Sequence, residues 1–341
     1  MRQILVRRIG GPEVLELYDI AKIPSPANNQ ALIKNSYAGV NFIDTYFRNG
    51  SRPCQLPTCL GMEAAGTVVA INGENKTDLS VGDLVVWKGQ GAYAEYSTAD
   101  INNVVRIPQG ISDRDAVGAF LPGMTALSLI TEAYPVKNGE AVLVHAAAGN
   151  VGQLLCQMLR NIGAFVIGTA GSPQKCAMAK EYGAHECIDY SDNKQWPQAA
   201  LAVTNGEGFD VGEDLEMCHT LLLCLHDTVF DSVGVMTWDG SLAVTKRKGK
   251  VVSFGHSSGL IPPFDITRLL EKNLSIARVT LTQYITTRDE LLHFANMLFE
   301  IMLQGKLKVN YHVKEYALHD IRRAHGDLGT RQTSGRVLVK M

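Results

Sequence analysis

The sequence predicts an α/β protein that combines a β-rich domain with a second domain built on a parallel sheet. The chain has 341 residues, which corresponds to about two domains of ordinary size. Short β-like runs separated by turn residues fill its first third. From about Gly139 onward, strands alternate with helices, which is the pattern of βαβ units.

The β-rich part is indicated by three apolar runs, at residues 32–34, 66–71 and 81–86. Each run is rich in β-branched or aliphatic residues, and turn residues separate the runs, as is typical of short strands in a compact β-rich domain. The default position for a ligand is the cleft between such a domain and its neighbour.

Composition excludes several classes of protein. Hydrophobic residues make up 46% and charged residues 19%, which is typical of a globular chain and not of a disordered one. The 32 basic and 34 acidic residues give a formal charge of −2, so no overall attraction to nucleic acid or anionic lipid is expected. Seven cysteines without a C-x-x-C pair indicate reduced thiols. Residues 1–8 lack an apolar signal region and no membrane span is predicted, so we expect a cytoplasmic protein.

The strongest motif follows the apolar run at residues 141–145, which reads as a buried strand. Residues 147–152 form a G-x-G-x-x-G turn with alanine in the first position, and apolar residues then recur at helical spacing to Ile162. Such a turn brings backbone N–H groups and a helix N-terminus to a pyrophosphate. The predicted cofactor-binding residues here are Ala147, Gly149, Asn150, Val151 and Gly152.

The next strand and helix indicate which dinucleotide is bound. Residues 165–169 read as a strand, and Ser172-Pro173 is a favourable N-cap and first residue for a helix. An NAD site usually has an acidic residue near this point for the ribose hydroxyl, yet none occurs between Gly163 and Lys180. Instead Gly171 and Ser172 are followed by Lys175, whose ammonium is suited to a 2′-phosphate, so the sequence favours NADPH.

Several further motifs resemble the zeta-crystallin-like quinone oxidoreductases of the medium-chain dehydrogenase/reductase superfamily, over nearly the whole chain. The motifs lie at residues 10–15, 39–46, 147–152, 231–234, 253–259 and 284–288. The resemblance implies a GroES-like catalytic domain made from both chain ends, a Rossmann-fold cofactor domain between them, a homodimer, and NADPH-dependent reduction of a quinone. The implied domain bounds are 1–123, 124–278 and 279–341.

The resemblance also implies site residues. Lys175, Tyr190 and Arg331 are expected around the adenosine 2′-phosphate of NADPH. The residues expected beside the rest of the cofactor, towards its nicotinamide half, are Asn41, Ser232, Phe254, Gly255 and Ser257. For the acceptor, Asn41 and Tyr46 are expected to donate hydrogen bonds to a carbonyl while Asp44 orients its neighbours. The chain departs from the family at Arg52, where a tyrosine is usual.

No metal is expected. The zinc-dependent branch of the superfamily has a cysteine where this chain has Asn41 and a histidine where it has Met62. Without a thiolate and an imidazole, two of the three protein ligands of a catalytic zinc are missing. A structural zinc lobe is also not expected, because Cys54 and Cys59 have no second cysteine pair nearby.

The sequence is also compatible with two other functions, and it argues against a third. An NADPH-dependent enone or 2-alkenal reductase uses the same hydride geometry with a proton at the α carbon, and a nucleotide-binding or RNA-binding role is a further alternative. Residues 255–259 match the hydrolase pattern G-x-S-x-G, which requires a following helix. Pro262 and Pro263 disfavour that helix, which argues against a serine hydrolase.

An unusual segment, residues 212–228, separates Gly208-Phe209-Asp210-Val211 from Val229-Phe230-Asp231. The two flanks resemble one continuous central strand in the family, and a parallel strand cannot absorb such an insert without a loop or a change of register. Leu215, Cys218, Leu222 and Leu225 fall on one face of a possible helix. The segment is therefore either a docking helix or an untranslated segment retained in the reading frame, and the clean join of Val211 to Val229 favours the second.

Overall fold

The structure is a computed structural model that describes residues 1–20, 22–73, 78–191, 195–204, 226–330 and 333–341. The strands are β1 (Arg2–Val6), β2 (Glu16–Asp19), β3 (Gln30–Gly39), β4 (Thr58–Cys59), β5 (Glu63–Asn72), β6 (Leu84–Lys88), β7 (Tyr96–Asp100), β8 (Val104–Arg106), β9 (Ala141–Val144), β10 (Phe165–Ala170), β11 (Glu186–Asp189), β12 (His226–Asp231), β13 (Thr245–Ser253), β14 (Ser275–Arg278), β15 (Tyr316–Ala317) and β16 (Leu338–Lys340). The α-helices are α1 (Phe42–Asn49), α2 (Asp113–Ser128), α3 (Asn150–Ile162), α4 (Pro173–Glu181), α5 (Trp196–Thr204), α6 (Trp238–Val244), α7 (Arg288–Leu303) and α8 (Ile321–Gly329).

The chain divides into two compact units. The first comprises Met1–Met124 and Ile285–Met341, and the second comprises Thr125–Tyr284. The sequence places the two boundaries after residues 123 and 278. The first differs from the structure by a single residue, whereas the second differs because residues 279–284 continue from β14 and remain with the second unit.

The first unit is β-rich. Its larger sheet has the order β15-β16-β3-β5-β6-β8, with β7 also paired to β3, and a smaller sheet has the order β2-β1-β4. The strand predicted at residues 81–86 begins only at Leu84, because Gly82 has a φ of +96° and residues 81–83 form the preceding turn. Trp87 and Tyr93 are fully buried in the core of this unit.

The second unit contains a six-stranded sheet with the order β11-β10-β9-β12-β13-β14, in which every neighbouring pair is parallel. In chain order this is 3-2-1-4-5-6, the arrangement that places a binding crevice at the carboxyl ends of the strands. The strands are apolar because both faces of a parallel sheet are covered. Leu143, Val229 and Val251 are each fully buried there. The α/β fold class predicted from the sequence is confirmed.

The predicted insert at residues 212–228 lies partly outside the described residues, so the helical face proposed for Leu215, Cys218, Leu222 and Leu225 cannot be placed. Its last three residues are described, and they differ from the prediction. His226, Asp227 and Thr228 form the start of β12, where Thr228 pairs with Val142. The carboxylate of Asp227 accepts a hydrogen bond from the backbone N–H of Ala141 at 2.9 Å, which ties these residues into the sheet.

One helical segment, Asp113–Ala133, is long and apolar enough to cross a membrane by length and composition. Of its most apolar window, 78% is buried inside the protein. That burial is typical of the core helix of a globular protein.

Candidate functional site

The predicted dinucleotide turn lies at the carboxyl end of β9. Gly149 is the N-cap of α3, and Ala146 before it has a φ of +52°, which turns the chain sharply out of the strand. A Cβ atom at Gly152 would overlap the carbonyl oxygen of Ala146, so the first turn of α3 packs against the loop only because this residue is glycine. The exposed backbone at Gly149 and the free N-terminus of α3 form a cradle suited to a pyrophosphate.

A second group of predicted residues lies at the carboxyl ends of β10 and β11. Ser172 is the N-cap of α4, and its hydroxyl accepts a hydrogen bond from the backbone N–H of Lys175 at 3.2 Å. A Cβ at Gly171 would lie 3.5 Å from the ring of Tyr190. Tyr190 is fixed by its backbone N–H, which donates to the carbonyl oxygen of Ala170 at 2.9 Å. The structure therefore gathers Gly171, Ser172, Lys175 and Tyr190 at one corner of the sheet.

The acidic residue nearest in sequence to Tyr190 is engaged elsewhere. Asp189 accepts hydrogen bonds from the backbone N–H of Ser191 at 2.8 Å and from the hydroxyl of Ser191 at 2.6 Å. A cation at Lys175 and an N-terminal helix turn are suited to a phosphate group more than to a ribose hydroxyl.

A third group lies at the carboxyl ends of β12 and β13. The backbone N–H of Phe254 donates to the carbonyl oxygen of Asp231 at 2.9 Å, and that of Ser257 donates to the carbonyl oxygen of Ser232 at 3.2 Å. A Cβ at Gly255 would lie 2.6 Å from the carbonyl oxygen of Ser232. The two loops can approach this closely because residue 255 is glycine, which brings Ser232, Phe254, Gly255 and Ser257 together.

Sequence reasoning missed a buried polar network beneath these loops. His145 follows β9, and its imidazole lies between the hydroxyls of Thr169 (2.8 Å from Nδ1) and Ser241 (3.0 Å from Nε2). Ser241 donates to the Asp231 carboxylate at 3.0 Å, and Thr237 donates to it at 2.8 Å. Burial lowers the pKa of His145, so the imidazole is held neutral. A histidine directly after an apolar strand was the available sequence signal.

The same network fixes the loop that carries Ser232. The other oxygen of the Asp231 carboxylate accepts backbone hydrogen bonds from Val233 at 2.7 Å and Gly234 at 3.0 Å. Ser241 is fully buried and donates to a carboxylate instead of presenting a hydroxyl to solvent, so the Ser, His and Asp side chains do not form a hydrolytic triad. The segment after β13 contains no α-helix through Asn273, a fully described stretch, which agrees with the rejection of a serine hydrolase.

In the first unit, the predicted catalytic residues lie on α1 or directly before it. Asn41 precedes the helix, and its backbone N–H donates to the Asp44 carboxylate at 2.8 Å. Asp44 is fully buried, and burial raises its pKa to about 7 although hydrogen bonds from Tyr93 and Asn41 act in the opposite direction. Tyr46 is half-buried two residues further along α1, and its carbonyl oxygen accepts from the backbone N–H of Arg52.

The side chain of Asn41 is held by two charged residues that the sequence did not single out. Its Nδ2 donates to Glu63 at 2.9 Å, and its Oδ1 accepts from Arg336 at 2.8 Å. Glu63 and Arg336 form a buried ion pair with each other. Among the described residues, the only other acceptor for Nδ2 is the carbonyl oxygen of Gly39, 3.5 Å away, and this long contact leaves the second Nδ2 hydrogen available as a donor. Glu63 was detectable as a single carboxylate in an apolar run, whereas Arg336 carries no local signal.

These surroundings do not fit a catalytic zinc ion. Asn41 and Met62 offer an amide and a thioether where a thiolate and an imidazole are needed. The guanidinium of Arg336 already provides the positive charge beside Glu63. Within the described parts of the chain, no three His, Cys, Asp or Glu side chains are grouped so as to hold a metal.

Arg331 lies outside the described residues, so its expected place at the 2′-phosphate stays a prediction. Arg52, where the family usually has tyrosine, lies with its guanidinium carbon 5.8 Å from the centre of the Phe47 ring on α1.

A GroES-like unit and a Rossmann-type unit with a dinucleotide turn together define a medium-chain dehydrogenase/reductase. The chain matches the alcohol dehydrogenase GroES-like domain family over residues 27–109 and the zinc-binding dehydrogenase family over residues 150–296. Within this superfamily, the chain belongs to the quinone oxidoreductases, because those of Salmonella typhimurium and Escherichia coli are 37% and 36% identical to it over 335 residues.

Relatives are similar over nearly their whole lengths. A quinone oxidoreductase of Salmonella typhimurium is 37% identical over 335 residues, which cover 97% of this chain and 96% of the relative. A 2-haloacrylate reductase of a Burkholderia species is 31% identical over 345 residues, which cover 98% of this chain and 97% of the relative. The crystal structure of Escherichia coli quinone oxidoreductase complexed with NADPH has a TM-score of 0.90 at 35% identity and matches 100% of both chains.

Proposed function

We propose that the protein is an NADPH-dependent quinone oxidoreductase that works without a metal ion. The observation that carries this proposal is the group at the carboxyl ends of β10 and β11, where Lys175 and the N-terminus of α4 stand in place of the acidic residue of an NAD site. Membership of the quinone oxidoreductases supports a quinone as the acceptor.

The second unit holds the cofactor in this proposal. The backbone at Gly149 and the N-terminus of α3 bind the pyrophosphate, and Gly152 allows the loop to approach the helix closely. Lys175, Ser172 and Tyr190, together with Arg331, bind the 2′-phosphate, and the loops at Ser232 and residues 254–257 hold the nicotinamide half. NADPH supplies the hydride equivalent when it is bound.

The first unit contributes polar groups for the acceptor. Asn41 has one amide hydrogen directed to Glu63 and a second that is only weakly engaged, so its Nδ2 is suited to donate to an acceptor carbonyl as negative charge develops. Tyr46, on the helix that Asn41 precedes, supplies a second donor in its phenolic hydroxyl. Quinones are electron-poor and need little acid catalysis, so hydrogen-bond donors are sufficient.

A second candidate is an enone reductase, favoured by the similarity to a 2-haloacrylate reductase. Arg52 adds a cation beside α1 that is suited to a carboxylate-bearing acceptor. Anaerobic NADPH oxidation against ortho-quinones, 2-alkenals and a 2-haloacrylate distinguishes the two. We expect the highest kcat/KM with an ortho-quinone. A higher kcat/KM with the alkenals or the haloacrylate would establish the alternative, and turnover with none of them would contradict both.

We also propose a cytoplasmic homodimer that uses the β14 edge of the parallel sheet. Among the described residues, β14 pairs only with β13, and large apolar side chains are exposed around it. Leu260, Ile266 and Leu270 are each at least 70% exposed, which is unusual for a monomer surface. Light scattering after gel filtration should give twice the chain mass, and Leu270→Asp should shift the equilibrium to monomer. A monomeric wild type would contradict this assembly.

A further inference from the structure

The first unit contains a buried chain of polar side chains to which the function proposed above assigns no role. It begins at Arg48 on α1, passes through His325 on α8 and Tyr93 before β7, and ends at Asp44 on α1. His325 and Tyr93 are fully buried and Arg48 is 8% exposed. Side chains from three separate parts of the sequence meet here, so the cluster is a product of the tertiary fold.

The distances define an unbroken hydrogen-bond path. Arg48 Nη1 lies 3.2 Å from His325 Nδ1, and His325 Nε2 lies 3.2 Å from the hydroxyl oxygen of Tyr93. Tyr93 then donates to Asp44 Oδ2 at 2.6 Å. The same Oδ2 atom accepts the backbone N–H of Asn41 at 2.8 Å.

The chemistry of Arg48 sets the direction of every hydrogen bond in this path. A guanidinium group only donates, so His325 Nδ1 must accept and the imidazole proton must be on Nε2. His325 Nε2 therefore donates to the Tyr93 oxygen, and the Tyr93 hydrogen is directed to Asp44. Burial and the nearby Arg48 charge lower the pKa of His325 to about 3, which agrees with a neutral ring.

The result is a polarised connection between a guanidinium and a buried carboxylate. Each donor in the path stabilises the ionised form of Asp44, whose second oxygen, Oδ1, has no hydrogen-bond partner among the described residues. The other charged groups that act on Asp44 are Glu63, which opposes its ionisation, and Arg336, which favours it. Both of these also hold the Asn41 side chain.

We propose that Tyr93 and His325 are positioning residues for acceptor reduction: they favour the ionised form of Asp44, and Asp44 in turn fixes Asn41 at the start of α1. This inference rests on the proposed function, because it takes Asn41 as a donor to the acceptor. Neither Tyr93 nor His325 touches the acceptor in this scheme. Their effect reaches Asn41 only through the Asp44 carboxylate.

The test compares Tyr93→Phe with a matched control, Tyr316→Phe. Tyr316 is 2% exposed, lies in the same unit and also donates to a carboxylate, Asp327, at 2.6 Å. Each change therefore removes one buried hydroxyl that is bonded to an aspartate. The kcat for a quinone is measured from pH 5.5 to 9.5 in the wild type and both variants, and the dissociation constant of NADPH is measured by fluorescence in parallel.

For Tyr93→Phe we expect the acid limb of the kcat profile to move to higher pH by about one to two units, because a hydrogen bond to an ionised group is lost. At pH 9 its kcat should recover to within about twofold of the wild type. The dissociation constant of NADPH should change by less than about twofold, since all the expected cofactor contacts except that of Asn41 belong to the other unit. Tyr316→Phe should leave the acid limb in place.

A pair of changes at His325 gives an independent reading if Tyr93→Phe does not fold. Glutamine can accept from Arg48 and donate to Tyr93, so His325→Gln should keep a near-normal profile, whereas His325→Phe should show the acid-limb shift. The inference would be overturned if the kcat of Tyr93→Phe or His325→Phe is lowered equally at every pH, or if its pH profile matches that of Tyr316→Phe. The proposed function would still stand in that case. A wild type that turns over no quinone would overturn the proposed function and this inference with it.

Discussion

The Nδ1 atom of His145 lies 2.8 Å from the hydroxyl oxygen of Thr169, which joins the carboxyl end of β9 to that of β10 at the edge where the cofactor is expected. Through Ser241 the same ring reaches Asp231 at the end of β12. Side-chain hydrogen bonds therefore connect three strands at their carboxyl ends, in addition to the backbone hydrogen bonds of the sheet. The loops above that edge depend on this connection.

His145→Leu should therefore weaken NADPH binding. The change removes the imidazole that bonds the buried hydroxyls of Thr169 and Ser241, of which Ser241 keeps its hydrogen bond to Asp231. We expect a cost of about 1–3 kcal/mol in the free energy of unfolding and a less firmly held loop at Ser232. We expect the dissociation constant of NADPH, measured by fluorescence titration, to rise about tenfold or more. Thr228→Val removes another buried hydroxyl bond of β12, to the carbonyl oxygen of Lys250, and should leave that constant unchanged. Equal effects of the two changes would contradict a specific role for His145.

Lys175→Ala should raise the KM for NADPH far more than the KM for NADH. A charge-assisted contact with the 2′-phosphate is worth about 1–3 kcal/mol, which corresponds to roughly a tenfold to hundredfold change. Lys180→Ala is the control, because Lys180 lies in the last turn of the same helix and pairs with Glu186 at 2.5 Å. If both cofactors lose affinity equally in Lys175→Ala, the 2′-phosphate assignment is wrong.

Chelation should leave activity intact. Asn41 and Met62 cannot supply the thiolate and imidazole of a catalytic zinc site, and Arg336 is paired with Glu63 beside them. After exhaustive dialysis against a chelator we expect an unchanged kcat, and elemental analysis should find substoichiometric zinc. One zinc per chain whose removal abolishes activity would refute the metal-free mechanism.

Stability should fall as the pH drops below about 6.5, because buried histidines stay neutral only in the folded state. Burial lowers the pKa of both His226 and His325 to about 3. The contribution of each neutral histidine to the free energy of unfolding is fully present above the unfolded pKa of about 6.5. Below that value it decreases by up to about 1.4 kcal/mol per pH unit. Asp44 has the opposite effect on stability. Burial raises its pKa to about 7, so the stabilisation from its neutral carboxyl is lost as the pH rises towards that value.

Urea unfolding at pH 7.5, 6.5 and 5.5 measures this dependence. The wild type should lose free energy of unfolding between pH 6.5 and 5.5, and not between pH 7.5 and 6.5. His325→Gln, which cannot take up a proton, should show a smaller loss between pH 6.5 and 5.5. The same slope in both proteins would show that His325 is not held neutral by the fold.

Deleting residues 212–228 should preserve NADPH binding and raise the soluble yield or the melting temperature. The deletion joins Val211 to Val229, so Asp210 would take the strand position of Asp227, whose carboxylate accepts the backbone N–H of Ala141. The equally long deletion of residues 209–225 is the control, because it keeps His226, Asp227 and Thr228 in β12. A 212–228 deletion that unfolds or binds no NADPH would identify the segment as an integrated element.

Local patterns in the sequence determined those elements whose conformation depends on residues close together in the chain. The dinucleotide turn and the Ser172 cap of α4 were predictable, because glycine tolerates close backbone approach and a serine hydroxyl caps a helix within three residues. The parallel sheet followed from the alternation of apolar strands and amphipathic helices. Likewise, the residue types at Asn41 and Met62 argued against zinc without any coordinates.

Only the tertiary structure could decide which distant side chains meet. Arg336 reaches Asn41 across most of the chain length, and His325 connects Arg48 to Tyr93. No periodicity links such positions, because side-chain spacing along a helix or strand reports only local faces, whereas these contacts depend on how strands and loops pack. The start of β12 at His226 was missed for the same reason. Pairing with β9 and β13 places those residues in the sheet, and that pairing is long-range.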